Sequence, residues 1–180
     1  TEGSTYFAKI WAIDSFGNQS TLAAITDSTN NKPIVSSISG SQQTDDGYVN
    51  IGYTLRDNNS NNISLGLYQY STNGVDWSAM TEAADILHEG TSGLSSSALG
   101  VAHVFVWDAA ADLGDTYSAT VSFKFQPNDG TENGSAIDTT ASTIEVDTKD
   151  PSGLANLSWA SDTSTTATLT WTAATDDNFD

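Results

Sequence analysis

Residues 117–126, YSATVSFKFQ, constrain the fold more than any other stretch of the chain. Tyr117, Ala119, Val121, Phe123 and Phe125 alternate with Ser118, Thr120, Ser122, Lys124 and Gln126. Successive side chains of an extended strand point to opposite faces, so this period of two predicts a strand with one apolar face on a core. The same alternation appears at Val49, Ile51, Tyr53 and Leu55, set between Asn50, Gly52, Thr54 and Arg56. Residues 65–70 and 101–108 read as further strands. Residues 80–100 are rich in Gly, Ser and Ala with weak periodicity, and read as short edge strands and loops. An all-β, antiparallel fold follows.

Turn chemistry separates these strands. Asp14-Ser15-Phe16-Gly17-Asn18 reads as a hairpin loop, between a strand with Tyr6, Ala8, Ile10 and Ala12 on one side and a returning strand over residues 22–25. Asn73-Gly74 predicts a two-residue type I′ turn, and Asn128-Asp129-Gly130 another loop before a last strand at Ile144-Glu145-Val146. Two internal correspondences organise the chain. Thr5-Tyr6 matches Thr116-Tyr117, and Pro33, Val49, Ile51 and Tyr53 match Pro151, Ala167, Leu169 and Trp171, each pair 118 positions apart. The expected organisation is therefore the closing strands of one unit (residues 1–27), a whole unit (28–148) and the opening strands of a third (149–180). The chain reads as a window cut from a tandem array. Unpaired strands expose ladder groups and apolar faces, so neighbouring units, or further copies of the chain in a filament, are the expected partners.

Composition narrows the classes of function. With 5 Lys and Arg against 23 Asp and Glu, the formal net charge is −18. A nucleic-acid backbone or an anionic membrane surface would repel such a chain. The absence of cysteine excludes disulfides and thiolate metal sites. No apolar run approaches the roughly 18–20 residues that span a bilayer. Most of the acid is Asp, placed beside Asn and Gly in turns, which suits loop chemistry and hard-cation ligation.

The stretch 103–130 resembles the E-to-F portion of a fibronectin type III or immunoglobulin-like sandwich. Leu113, Gly114 and Tyr117 have the spacing of a tyrosine corner, whose hydroxyl bonds back to the main chain. The likeness extends over most of residues 33–151. It rests on Asp46-Gly47, Tyr53-Thr54-Leu55 with Asp57, Tyr70-Ser71 leading to Asn73-Gly74 and Trp77, Val106-Trp107-Asp108, Asp112-Leu113, Asn128-Asp129-Gly130, and Val146-Asp147-Thr148 before Pro151. The resemblance implies an antiparallel β-sandwich of the kind common in long bacterial surface and secreted proteins, where such modules are spacers, adhesin stalks or accessory domains of secreted enzymes. An extracellular or cell-surface location goes with it. Asn73-Gly74-Val75 replaces the usual Asp-Gly-Gly of the hairpin.

In such a fold the incoming linker and two loops gather at one pole of each domain. For the middle unit that pole would hold Asp27, Asp57 and Asp129; for the next it would hold Asp147, Asp150, Asp176 and Asp177. Clustered carboxylates repel unless bridged, and Ca²⁺ accepts six to eight such oxygens, so a Ca²⁺ ion stiffening each junction is one reading. Solvated turn formers are the other. Residues 57–62 begin like an EF-hand loop, but Asn62 and Tyr68 stand where that loop needs Gly and Glu, which excludes it. His88 and His103 have no nucleophile motif beside them, and His103 reads as a packed strand histidine. Asp112 and Asp115 lie in a tight corner rather than a glycosidase cleft. Among the five tryptophans, Trp107 and Trp171 fall in strand patterns and read as core, whereas Trp11 and Trp77 read as exposed.

The leading expectation is a non-catalytic structural segment of a large repetitive extracellular protein, as stalk, spacer or fibre subunit. The alternative is a carbohydrate-binding or accessory module of a secreted hydrolase, which requires exposed coplanar aromatics and would take surface glycans as partners.

Overall fold

The computed structural model describes residues 4–44, 47–59, 61–139, 141–161, 163 and 165–176. They form twelve strands and one short helix, all pairings within the sheets being antiparallel. The first sheet is a hairpin of β1 (Thr5–Ile10) and β2 (Ala23–Ser28). Its loop is closed by Asp14, whose Oδ1 accepts from the Phe16 and Asn18 amides and whose Oδ2 accepts from the Asn18 side chain.

Two sheets then share one core. β3 (Ile34–Gln42), β4 (Tyr48–Arg56) and β7 (Val101–Asp108) form a sheet in the order β3-β4-β7. The facing sheet contains β5 (Ser64–Ser71), β6 (Ser78–Ala79), β8 (Tyr117–Asn128), β9 (Ile137–Asp138) and β10 (Ile144–Asp147), in the order β10-β8-β5-β6 with β9 also on β8. Alternation in β4 buries Val49, Ile51, Tyr53 and Leu55, while Tyr48, Asn50, Gly52 and Thr54 stay half-buried. Aromatic rings join the sheets: Tyr53 stacks on Phe125 with centroids 5.1 Å apart, and Phe105 and Trp107 meet Phe125 and Phe123 edge-on at 5.8 and 6.0 Å. Such pairs add about 0.5–1.5 kcal/mol each beyond the area they bury. The fourth sheet is a second hairpin, β11 (Ala155–Ser161) with β12 (Ala167–Thr172).

Between β7 and β8 lies α1 (Ala109–Leu113), one helical turn where the sequence reading placed only an acidic corner. Asp108 caps it by accepting from the Ala111 amide, and the Gly114 amide, at φ 67°, returns to the Ala110 carbonyl. A run of three alanines favours helix once both ends are capped.

Three local expectations need correction. Asn73-Gly74 is not a type I′ turn, since of the two only Gly74 has positive φ. Asn73 instead uses its side-chain oxygen to accept from the Val75 and Asp76 amides, and Ser71 Oγ accepts from Gly74, a longer loop held by side chains. Near the corner the Tyr70 hydroxyl donates to the Asp112 carbonyl at 3.4 Å, and Tyr117 opens β8 half-buried. In β8 the buried face is Val121, Phe123, Phe125 and Pro127, with Ala119 exposed and Ser122 buried on the other side. Trp171, expected in a core, is 55% exposed, because no third strand or facing sheet covers β11–β12 among the described residues.

Candidate functional site

The pole nearest the incoming linker is built from amides as much as from acids. Asp57 follows β4, and its Oδ1 accepts from the Asn59 amide at 2.8 Å, which tightens the loop before β5. Asn59 Oδ1 then accepts from both the main chain and the side chain of Asn31. On the other flank Asn30 donates to Asp129 Oδ2, while Asp129 Oδ1 accepts from the Thr131 and Glu132 amides. Partial burial alone would raise the Asp129 carboxyl, but the Asn30 amide and these backbone donors outweigh it and hold it below its usual value. Gly134 fits under the linker so closely that a Cβ there would stand 2.0 Å from the Pro33 carbonyl oxygen. Linker, β4–β5 loop and β8–β9 loop therefore meet, as the sequence led us to expect.

Of the expected cation ligands at this pole, Asp57 is 2% exposed and its Oδ2 is buried with no hydrogen-bond partner. Asp129 is engaged on both oxygens. Asp27 lies in β2 opposite Tyr6, its side chain outside the described residues. At the other pole, Asp147 Oδ1 accepts from the Lys149 amide and Asp150 donates its amide to Asp115 Oδ1. Asp176 is half-buried, and Asp177 is outside the described residues. Among the described residues no three His, Cys, Asp or Glu side chains converge as a metal-binding group.

Sequence reasoning missed a polar strap over β7. Glu82 accepts from Tyr68 and Thr91 and pairs with His88 Nε2 at 3.0 Å; His88 Nδ1 accepts from the Val106 amide. His103, 5% exposed, contacts Glu89 through Nδ1 and the Ser95 carbonyl through Nε2, both at 2.8 Å. The His88–Val106 and His103 contacts thus hold residues 82–95 on the sheet, and the His88–Glu82 pair braces the strap internally. No local motif announces these pairs, since their partners lie 6 and 14 residues away across irregular chain. Asp112 is structural too, accepting from the Thr81 amide and hydroxyl and from Trp107 Nε1. Over Trp77 sits the Lys124 ammonium, 3.6 Å from the ring centroid, so one face of that indole is covered.

No family model, curated protein or solved structure is significantly similar to this chain.

Proposed function

We propose that the chain is a segment of tandem fibronectin-type-III-like sandwiches in a large extracellular protein, serving mechanically as stalk, spacer or fibre subunit without catalysis. The observation that carries this reading is strand order. A three-stranded sheet β3-β4-β7 facing β10-β8-β5-β6 corresponds to strands A-B-E against G-F-C-C′ of that architecture. Hairpins on either side, related in sequence to strands F–G and A–B, fit its repetition along a chain. A single-molecule pulling experiment on three linked copies of residues 28–148 tests it. Each module should unfold in one step, releasing about 400 Å of contour for 121 residues at roughly 3.3–3.6 Å each. Extension without discrete steps would refute a load-bearing role.

A Ca²⁺ contribution rests on Asp57 Oδ2, since a buried carboxylate oxygen without a donor is stabilised by a cation. Only that one orphan oxygen is present at the pole among the described residues, so the remaining ligands would come from amide and main-chain carbonyls there. The midpoint of thermal unfolding should rise with Ca²⁺ over chelator, and an unchanged midpoint rejects the ion. The carbohydrate-binding alternative is favoured by Trp159 and Trp171, 71% and 55% exposed on one side of β11–β12. Depletion of the protein from solution by insoluble polysaccharide would support it.

A further inference from the structure

The outer edge of β7 is covered by side chains as much as by main chain. Residues 81–83 run along it as a short antiparallel partner, the Asp108 amide donating to the Thr81 carbonyl and the Ala83 amide to the Val106 carbonyl. Residues 91–94 are anchored elsewhere, through main-chain bonds from Leu65 to Thr91 and in both directions between Ile63 and Leu94. Between these two anchors the large apolar side chains, Ile86 and Leu87, are 99% and 54% exposed, so burial does little to hold residues 84–90 down. A main-chain bond of 3.3 Å joins the Glu89 amide to the Val104 carbonyl. The return bonds go to side chains: at 3.0 Å each, the Val104 amide donates to Glu89 Oε1 and the Val106 amide to His88 Nδ1.

Donor and acceptor chemistry sets the protonation of both rings. His88 Nδ1 accepts, so that ring is neutral, with its proton on the Nε2 that faces Glu82. His103 has an acceptor at each nitrogen, Glu89 Oε2 at Nδ1 and the Ser95 carbonyl at Nε2. Glu89, with its side chain 44% exposed and already accepting from Val104, is the ionised partner, so His103 carries a proton on both nitrogens. Around His88, Phe105 of β7 meets the ring edge-on, Tyr68 of β5 donates to Glu82, and Asp85 accepts from the Leu87 amide and the Gln43 side chain. Facing His103 at 5.7 Å is Tyr53 of β4, whose phenol is pushed above its usual value by burial first and the Glu89 charge second.

We propose that residues 84–90 form a proton-gated flap on the β7 edge, closed only while His88 is neutral and His103 is protonated. Acid places a proton on His88 Nδ1 and turns the acceptor of the Val106 amide into a second donor. Alkali removes a proton from His103, leaving a bare nitrogen against an acceptor, and Glu89 loses the partner that holds it under the Val104 amide. Either change frees an edge amide while the anchors at residues 81–83 and 91–94 stay paired. An open flap leaves β7 as an uncovered strand edge.

Amide hydrogen exchange of the 180-residue chain from about pH 5 to about pH 9, spanning the ordinary histidine value of about 6.5, tests the gate. Rates are referred to an unstructured chain at each pH. Protection of Val106 should fall on the acid side and that of Val104 on the alkaline side, each by up to about tenfold per pH unit, the limit for one proton. The β4 amides should stay protected throughout. His88→Asn, whose Oδ1 stands near the place of Nδ1 and takes up no proton, should remove the acid limb and keep the alkaline one. His103→Gln should leave Val104 less protected and indifferent to alkali. Ring-nitrogen chemical shifts of the unsubstituted chain at about pH 7 give a reading that does not depend on either variant folding: His88 should be the neutral Nε2–H form and His103 the imidazolium. Flat protection at both edge amides, an acid limb that survives His88→Asn, β4 amides that lose protection together with the edge, or two rings in the same protonation state each overturns the proposal.

Discussion

Single residues at the linker pole set how firmly the first hairpin's connection is held to the core. Gly134 has no room for a side chain against the Pro33 carbonyl. Gly134→Ala should lower stability by about 1–3 kcal/mol through forced backbone movement, read as a lower denaturant midpoint at unchanged slope. Glu82 gives a pH signature. Desolvation alone would raise its carboxyl, but hydrogen bonds from His88, Tyr68 and Thr91 hold it below the ordinary value. A carboxyl depressed in the folded state binds fewer protons than in the unfolded one. Its contribution is full above the usual glutamate value of about 4.3 and is lost as pH falls through that value toward the lowered one. Glu82→Gln should therefore be less stable than the parent at neutral pH, with the difference shrinking on acidification; a gap that widens toward pH 3 contradicts the assignment.

At the scale of elements, the alternating pattern of β4 was legible residue by residue, because a strand in the middle of a sheet is buried on one face along its whole length. β8 was legible only from Val121 onward. Its first turn of alternation, Tyr117 and Ala119, lies beyond the facing sheet, and no periodicity reports where a neighbouring layer ends. The β5–β6 loop was misread for a related reason: Asn-Gly favours type I′ geometry locally, yet Ser71 and Asn73 side chains offer four amides a different set of acceptors. Phe125 is the contact through which β8 meets both Tyr53 of β4 and Phe105 of β7. Phe125→Ala should cost about 3–5 kcal/mol in equilibrium unfolding, whereas truncating the exposed Val75 to Ala should stay within about 0.5 kcal/mol.

For the whole molecule, one consequence of the sheet arrangement is independence. The buried cluster is drawn entirely from residues 35–146, and neither outer hairpin contributes to it. Two-stranded hairpins are marginal alone in water, so the main melting transition belongs to the central two sheets. Removing residues 151–180 should leave its midpoint within about 2 °C in dilute solution by calorimetry; a large drop would mean that β11–β12 packs on the core. Sequence periodicity and turn residues by themselves determined that this chain is antiparallel β and where β4, β5, β7 and the later part of β8 run, since each follows from local alternation; that two loops approach the linker was an implication of the resemblance. Only the tertiary structure decided that His88 and His103 tie down a strap, that Asp57 holds an orphan buried oxygen at the linker pole, and that Trp171 stays in solvent. Each of those depends on what stands opposite a side chain in space, and that neighbour is set by sheet packing between segments far apart in the chain.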